Sequence, residues 1–232
     1  MRKLAIIPAR KGSKRIPDKN IKDFDGVPII SYSIKAALEW KFDKVIVYTD
    51  SYKYTKIAKE FGAEVPFRRE KADDVQGLYE MTMEVLQKYK IEKMTEWDFV
   101  CVIYPCAPFI NHELIEAGYN LLLWGNHDAA FPVVKNPFHY QQLMYFKDDK
   151  IRYVFPAFRD ESSNDWYDSY RHAGQFFWEK VSSLKYNKTL IPDNSGAMVI
   201  NPWEAIDIDT VDDWEYAEVK YKVLQEMGYG KI

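Results

Sequence analysis

Short apolar, β-branched runs alternate with segments of helical spacing along this chain, and that alternation limits its fold more than any other feature. The runs are "KLAIIPA", "KVIVYTD", "EVPFR", "DFVCVIY" and "DAAFPVV". In "PIISYSIKAALEW", Ile30, Ile34, Ala37 and Leu38 share one helical stripe, and Pro28 suits a first helical turn. "SYKYTKIAKEFG" has a capping residue in Ser51 and a stop in Gly62, and "LYEMTMEVLQKYK" and "NHELIEAGYNLLLW" follow the same pattern. Strands joined through helices pair in parallel and need helices on both faces. The expected fold is therefore α/β, a three-layer αβα arrangement with a mostly parallel sheet. On such sheets ligands gather at the carboxyl ends of the strands.

From about residue 136 to 178 the rhythm breaks. This stretch is rich in Tyr, Phe and Asp, and "YFKDDKIRYVF" predicts a hairpin with a polar turn. With no Gly/Ser-rich linker on either side, it reads as an excursion from a single domain spanning 1–232, covering the site or meeting a second subunit. The chain then returns through "GAMVINP" and "EAIDID" to a closing helix, "VDDWEYAEVKYKVLQEMG".

Hydrophobic residues make up 47% of the chain, enough for a large core. The 32 basic and 35 acidic residues nearly cancel, which argues against whole-chain attraction to nucleic acid or an anionic membrane. The apolar stretch of "MRKLAIIPARKGSK" is too short for a signal peptide, and no run approaches a membrane span. Cys101 and Cys106 have neither redox-pair nor zinc spacing, and Cys101 reads as a buried reduced thiol. A cytoplasmic protein is expected. His112, His127 and His139 lack metal-ligand spacing and read as cap, turn and surface residues.

Against this balanced background, "ARKGSKRIPDKN" places Arg10, Lys11, Lys14, Arg15 and Lys19 directly after the first run. It is neither a Walker A loop nor a dinucleotide fingerprint, because Gly12 stands alone. Gly12 lets backbone amides approach an anion, and Ser13 can donate a hydroxyl. Arg10 offers a fork for phosphate oxygens and Lys19 a compact charge. A solvated face is the ordinary reading of such a run. Its place at the carboxyl edge of the sheet favours a phosphate cradle instead.

"EAIDIDTVDDWE" pairs acids in a second place. If it is extended, Asp207 and Asp209 share one face, about 7 Å apart at Cα, and can converge on one hard cation. Thr210 then caps the closing helix, with Asp213 completing a capping box. The plainer alternative is a solvated strand edge running into a capped helix.

Taken in order, "IIPARKGSKRIPDKNIKDFDGVPII", "VIVYTDS", "EVPFRREKADD", "YPCAPF" and "IDIDTVDDWEYAE" resemble the sugar cytidylyltransferases, the CMP-sialic acid synthetase family and its relatives, over nearly the whole chain. The resemblance implies a Rossmann-like nucleotidyltransferase fold and a homodimer joined through the 136–178 excursion. It implies CTP and an acidic nine-carbon sugar as substrates, a CMP-sugar and pyrophosphate as products, and Mg²⁺ as cofactor. Arg10, Ser13, Lys19 and Asn20 would hold the CTP phosphates, with Arg68 and Asp74 near the nucleotide. Asp207 and Asp209 would be the metal ligands. Arg10, Lys19 and Asp209 form the expected catalytic set.

"HAGQFFW" at 172–178, with Tyr104 and Ile110 in "IYPCAPFI", looks like the pseudaminic acid cytidylyltransferase branch. Tyr104, Gln175 and Phe176 are the expected sugar-binding residues, with Gln175 as polar handle in an aromatic-walled pocket. Arg171 or Arg159 would take over a carboxylate or phosphate contact, since Ser162 and His172 stand where that branch has an arginine and an acid. The rivals are a CMP-N-acetylneuraminate, CMP-legionaminate or CMP-Kdo synthetase, a catalytically silent nucleotide-binding protein, and an RNA-binding protein using the basic loop.

Overall fold

The computed structural model describes residues 1–70, 77–163 and 166–228. In chain order the strands and helices are β1 (Lys3–Pro8), β2 (Asp23–Phe24), β3 (Val27–Pro28), α1 (Ile30–Glu39), β4 (Lys44–Tyr48), α2 (Tyr52–Glu60), α3 (Leu78–Lys93), β5 (Phe99–Ile103) and α4 (His112–Trp124). They continue with β6 (Ala129–Lys135), β7 (Met144–Lys147), β8 (Lys150–Tyr153), β9 (Tyr170–His172), β10 (Phe176–Lys180), α5 (Val181–Asn187), β11 (Ser195–Val199) and α6 (Val211–Glu226).

Among the described residues the main sheet runs β11-β6-β10-β5-β1-β4, with β9 also paired to β6. β1 is parallel to β4 and β5, and β11 to β6, as the strand–helix alternation predicts. One face of β1 (Ala5, Ile7) packs on α1, α2 and α4. The other (Leu4, Ile6) packs on α3 and α5. Both sides of each central strand are thus covered, which is why they read as unbroken apolar runs. A third cluster, with Phe24, Ile29, Tyr32, Ile208, Trp214 and Tyr221, seats α6 against the β2–β3 corner.

The local signals hold in most places. Ser51 Oγ accepts from Tyr54 N, and Gly62, at φ +92°, follows the end of α2. Thr210 and Asp213 form the capping box of α6. β7 and β8 make the predicted hairpin, turning on Asp148 and Asp149, both at positive φ.

Five expectations are corrected. Pro28 lies in β3, outside the first turn of α1, which starts at Ile30. Leu38 leaves the buried stripe and rests beside Gly62 at the surface. "EVPFR" is reduced to isolated bridges at Glu64 and Arg68, because Pro66 between them has no N–H for the ladder. The "EAIDID" segment, 204–209, joins no strand. The excursion ends at 169, since β9 and β10 belong to the sheet and β10 sits between β5 and β6.

That antiparallel insertion carries a large bulge. On β6, Val133 pairs with His172, and Pro132 O accepts from Ala173 N. The next paired residue of the opposing strand is Trp178, five positions after Ala173, and it faces Ala130, only two positions before Pro132. Three residues are therefore extra, and they swell out around Ala173, Gly174 and Gln175. Pro132, lacking an N–H, stands where the bulge leaves nothing to accept one.

Glu179 on β10 is fully buried, and neither carboxyl oxygen has a hydrogen-bond partner among the described residues. Burial, with a smaller contribution from Asp128, pushes its pKa up to about 10. The folded protein therefore keeps a proton that the unfolded chain releases above the ordinary glutamate range. Stability should fall as pH rises from about 4.5 towards 10. Glu179→Gln should raise the melting temperature at pH 8 by several degrees and flatten its slope between pH 5 and 9, measured by calorimetry.

Candidate active site

The loop after β1 leaves the sheet at its carboxyl edge, and its cations line a cleft of about 550 Å³. Among the described residues five basic side chains border it, Arg10, Lys14, Arg15, Lys19 and Arg69, with Asp209. Ser13, Asn20 and Tyr104 add polar groups to the wall.

The loop is fastened at several points. Asn20 is buried, its Nδ2 donating to Arg10 O at 3.0 Å and its Oδ1 accepting from the Cys106 thiol at 3.2 Å. Asp18, in the left-handed region, accepts from Lys53 Nζ and Tyr54 Oη of α2, both at 3.0 Å. These donors hold its carboxyl below the usual aspartate range. Lys11 N donates to Asp50 Oδ1 at 2.7 Å. Gly12, at φ +112°, allows a turn that a side chain would strain.

Across the cleft lies the acidic segment. Lys19 Nζ donates to Ile208 O at 2.5 Å and stands 3.3 Å from Asp209 Oδ1. Arg15 reaches Asp209 Oδ2 at 3.0 Å. The cationic loop and the acidic segment, some 190 residues apart in sequence, thus meet face to face. Asp207 lies against the bulge: a Cβ built on Gly174 would come 3.2 Å from its Cβ. Burial first, then the Asp207 and Asp209 charges, push the Tyr104 hydroxyl up to about 12. Burial raises Cys106 likewise, against the opposing pull of Lys19. Tyr104 is therefore a neutral donor at working pH, and Cys106 an inert thiol.

Among the described residues no group of three or more His, Cys, Asp or Glu is placed to hold a metal. A cation here would take one or two carboxylates from Asp207 and Asp209 and complete its shell with ligand oxygens and water. That donor set fits Mg²⁺.

Several expected residues fall elsewhere. Arg68 is exposed, stacked over Tyr52 at 4.3 Å with its guanidinium donating to Tyr52 Oη, and lies off the cleft. Its neighbour Arg69 is the one that lines the cleft, only 5% exposed. Phe67 is buried and Arg68 exposed, so period-two alternation from Phe67 was the signal that selects Arg69. Asp74 lies outside the described residues. Phe176 is core, packed against Gly118 of α4, and Ile110 is buried in the same cluster. Gln175 is buried and donates to Glu204 O at 2.6 Å instead of lining the cleft. Arg171 is exposed on β9, and Arg159 lies beside Tyr153; neither borders the cleft. Tyr104 does border it, with His172 stacked behind at 6.3 Å between ring centres.

A family model described as "Cytidylyltransferase" matches residues 4–190. Among similar curated proteins, the pseudaminic acid cytidylyltransferase of Campylobacter jejuni subsp. jejuni serotype O:2 is 31% identical over 99% of this chain and 100% of its own. The CMP-N,N'-diacetyllegionaminic acid synthase of Legionella pneumophila is 29% identical over 97% and 99%. Among solved structures, CMP:2-keto-3-deoxy-manno-octonic acid synthetase complexed with CTP superposes with a TM-score of 0.68 at 16% identity, over 97% of this chain and 100% of that one. The 4-diphosphocytidyl-2C-methyl-D-erythritol synthase from Anaerococcus prevotii gives 0.64 at 16% identity, over 95% and 96%. These two share the fold, a Rossmann-like nucleotidyltransferase sheet.

The placement of the two adjacent arginines gives a direct test. Arg69→Ala should weaken nucleoside triphosphate binding roughly tenfold or more, as expected for a charge-assisted contact in a partly buried cleft. Arg68→Ala should change it by less than about twofold, both read by titration calorimetry.

Proposed function

Since this chain belongs to the cytidylyltransferase family, we propose that it transfers CMP from CTP to a nine-carbon acidic sugar, pseudaminic acid first among them, and releases pyrophosphate. The observation that carries this reading is the cleft itself: among the described residues Arg10, Lys14, Arg15, Lys19 and Arg69 converge on one space, as a site for a polyanion requires. The near full-length likeness to a pseudaminic acid cytidylyltransferase supports the choice of sugar.

In the proposed reaction the sugar's anomeric hydroxyl attacks the α-phosphorus of CTP in line. A P–O bond forms to the sugar as its hydroxyl proton passes to solvent, the bond from the α-phosphorus to the bridging oxygen breaks, and pyrophosphate leaves with that electron pair. Arg10, Lys14, Arg69 and Ser13 bind and orient the phosphates, so catalysis is positioning plus charge stabilisation. Lys19 and Arg15, paired with Asp209, hold its carboxylate at the cleft. Asp207 and Asp209 would hold Mg²⁺, which neutralises phosphate charge when bound. Tyr104, neutral and half-buried, presents a hydroxyl donor to the sugar side.

The hairpin fits a homodimer contact. Phe146 is 74% and Ile151 58% exposed, beside the exposed Met144, Tyr145, Val154 and Phe155. Such a contiguous apolar surface marks an interaction face. Among the described residues no helix is long and apolar enough to cross a membrane.

Pyrophosphate release with CTP and Mg²⁺ should be greatest with pseudaminic acid in a panel that includes N-acetylneuraminic, N,N'-diacetyllegionaminic and Kdo acids. Preference for another member would replace the sugar assigned, and CTP binding without turnover on any would indicate a silent nucleotide-binding protein. Asp209→Asn should lower kcat by roughly a hundredfold or more. Phe146→Glu with Ile151→Glu should convert a dimer to a monomer in light scattering.

A further inference from the structure

The segment 204–209 carries Asp207 and Asp209, the second of which lines the cleft, and joins no strand among the described residues, so no ladder holds it. Side chains from three remote parts of the chain take up its carbonyls instead. Gln175 Nε2 donates to Glu204 O at 2.6 Å, Lys220 Nζ to Ala205 O at 3.0 Å, and Lys19 Nζ to Ile208 O at 2.5 Å. At the far end the Asp213 carboxylate accepts from Asp209 N at 3.0 Å and Thr210 N at 2.7 Å.

Gln175 is the buried member of that set, 2% exposed, and it sits on the bulge of the β9–β10 strand. Its own carbonyl accepts from Tyr104 N at 2.8 Å, tying the bulge to the end of β5. Beside it Gly174, at φ +69°, packs directly on Asp207, where an added Cβ would come within 3.2 Å of its Cβ and 3.3 Å of its Cα. From these contacts we infer that Gln175 is a positioning residue: anchored on the bulge, it fixes the backbone of the acidic segment and thereby sets where Asp207 and Asp209 stand relative to the cleft. This rests on the reading of those aspartates as metal ligands. A direct sugar contact is disfavoured by the burial of the whole amide, whose Oε1 is also sealed from solvent and without a partner among the described residues.

Gln175→Met tests this with little damage to the core, because it keeps length and burial while removing one hydrogen bond and one unpartnered acceptor. Hydrogen–deuterium exchange should show residues 205–209 opening roughly fivefold faster, with the amides of β5 and β10 as protected as in the parent. The Mg²⁺ concentration for half-maximal rate should rise roughly five- to tenfold, while KM for CTP stays within about twofold. Lys220→Met, acting on the neighbouring carbonyl from α6, should shift exchange in the same direction. Unchanged exchange over 205–209 in Gln175→Met overturns the inference, and so does faster exchange with an unaltered Mg²⁺ requirement. A loss confined to KM for the sugar overturns it in favour of direct contact. Failure of the metal reading appears separately, as Asp207→Asn and Asp209→Asn proteins with the parent's Mg²⁺ dependence.

Discussion

One ammonium group joins the two ends of the chain. Lys19, on the loop after the first strand, is held between the carbonyl of Ile208 and the carboxylate of Asp209. Without it Ile208 O would lose its donor and Asp209 one of its two cationic partners. With it, each supplies what the other lacks: the loop gains a counter-charge, the segment a donor for an orphan carbonyl. Asn20, next in sequence, ties the same loop to Arg10 and Cys106, so the junction is anchored in the core.

The charge balance of the cleft follows from that junction. Lys19 and Arg15 share Asp209, and Arg10, Lys14 and Arg69 border the same space. These basic side chains gather near the carboxyl ends of β1 and β4, where the parallel sheet leaves a crevice. Arg69 does so from a buried position, and its burial lowers its pKa while Tyr48 and Asp50 oppose that trend. A guanidinium kept in so dry a place meets an anionic ligand with little water to displace.

Much of this architecture was legible in the sequence, for physical reasons. Strands covered on both faces must be apolar throughout, so β1, β4, β5 and β6 stand out as runs. Caps at Ser51 and Thr210 follow local rules, and the cation cluster is local by nature. What was hidden depends on partners distant in sequence. Gln175 finds its acceptor 29 residues away, and nothing around it announces that. Phe176, Phe177 and Trp178 look alike in sequence, yet they alternate between the two cores because β10 is central, which removes Phe176 from any sugar pocket. β9 has no apolar pattern, since its outer face is exposed, and so its return to the sheet was invisible. Arg68 and Arg69 were separable only by taking alternation from Phe67 through an irregular edge.

The three surplus residues of the β9–β10 strand touch two neighbourhoods at once. On one side Gln175 meets the backbone of Tyr104, whose ring stands at the mouth and stacks on His172. On the other, Gly174 and Gln175 bear on the residues around Asp207. A single short kink therefore bears on both the Tyr104 side of the cleft and the backbone that carries Asp207 and Asp209. Reshaping residues 172–175 would displace both neighbourhoods together, so in this scaffold neither can be altered alone.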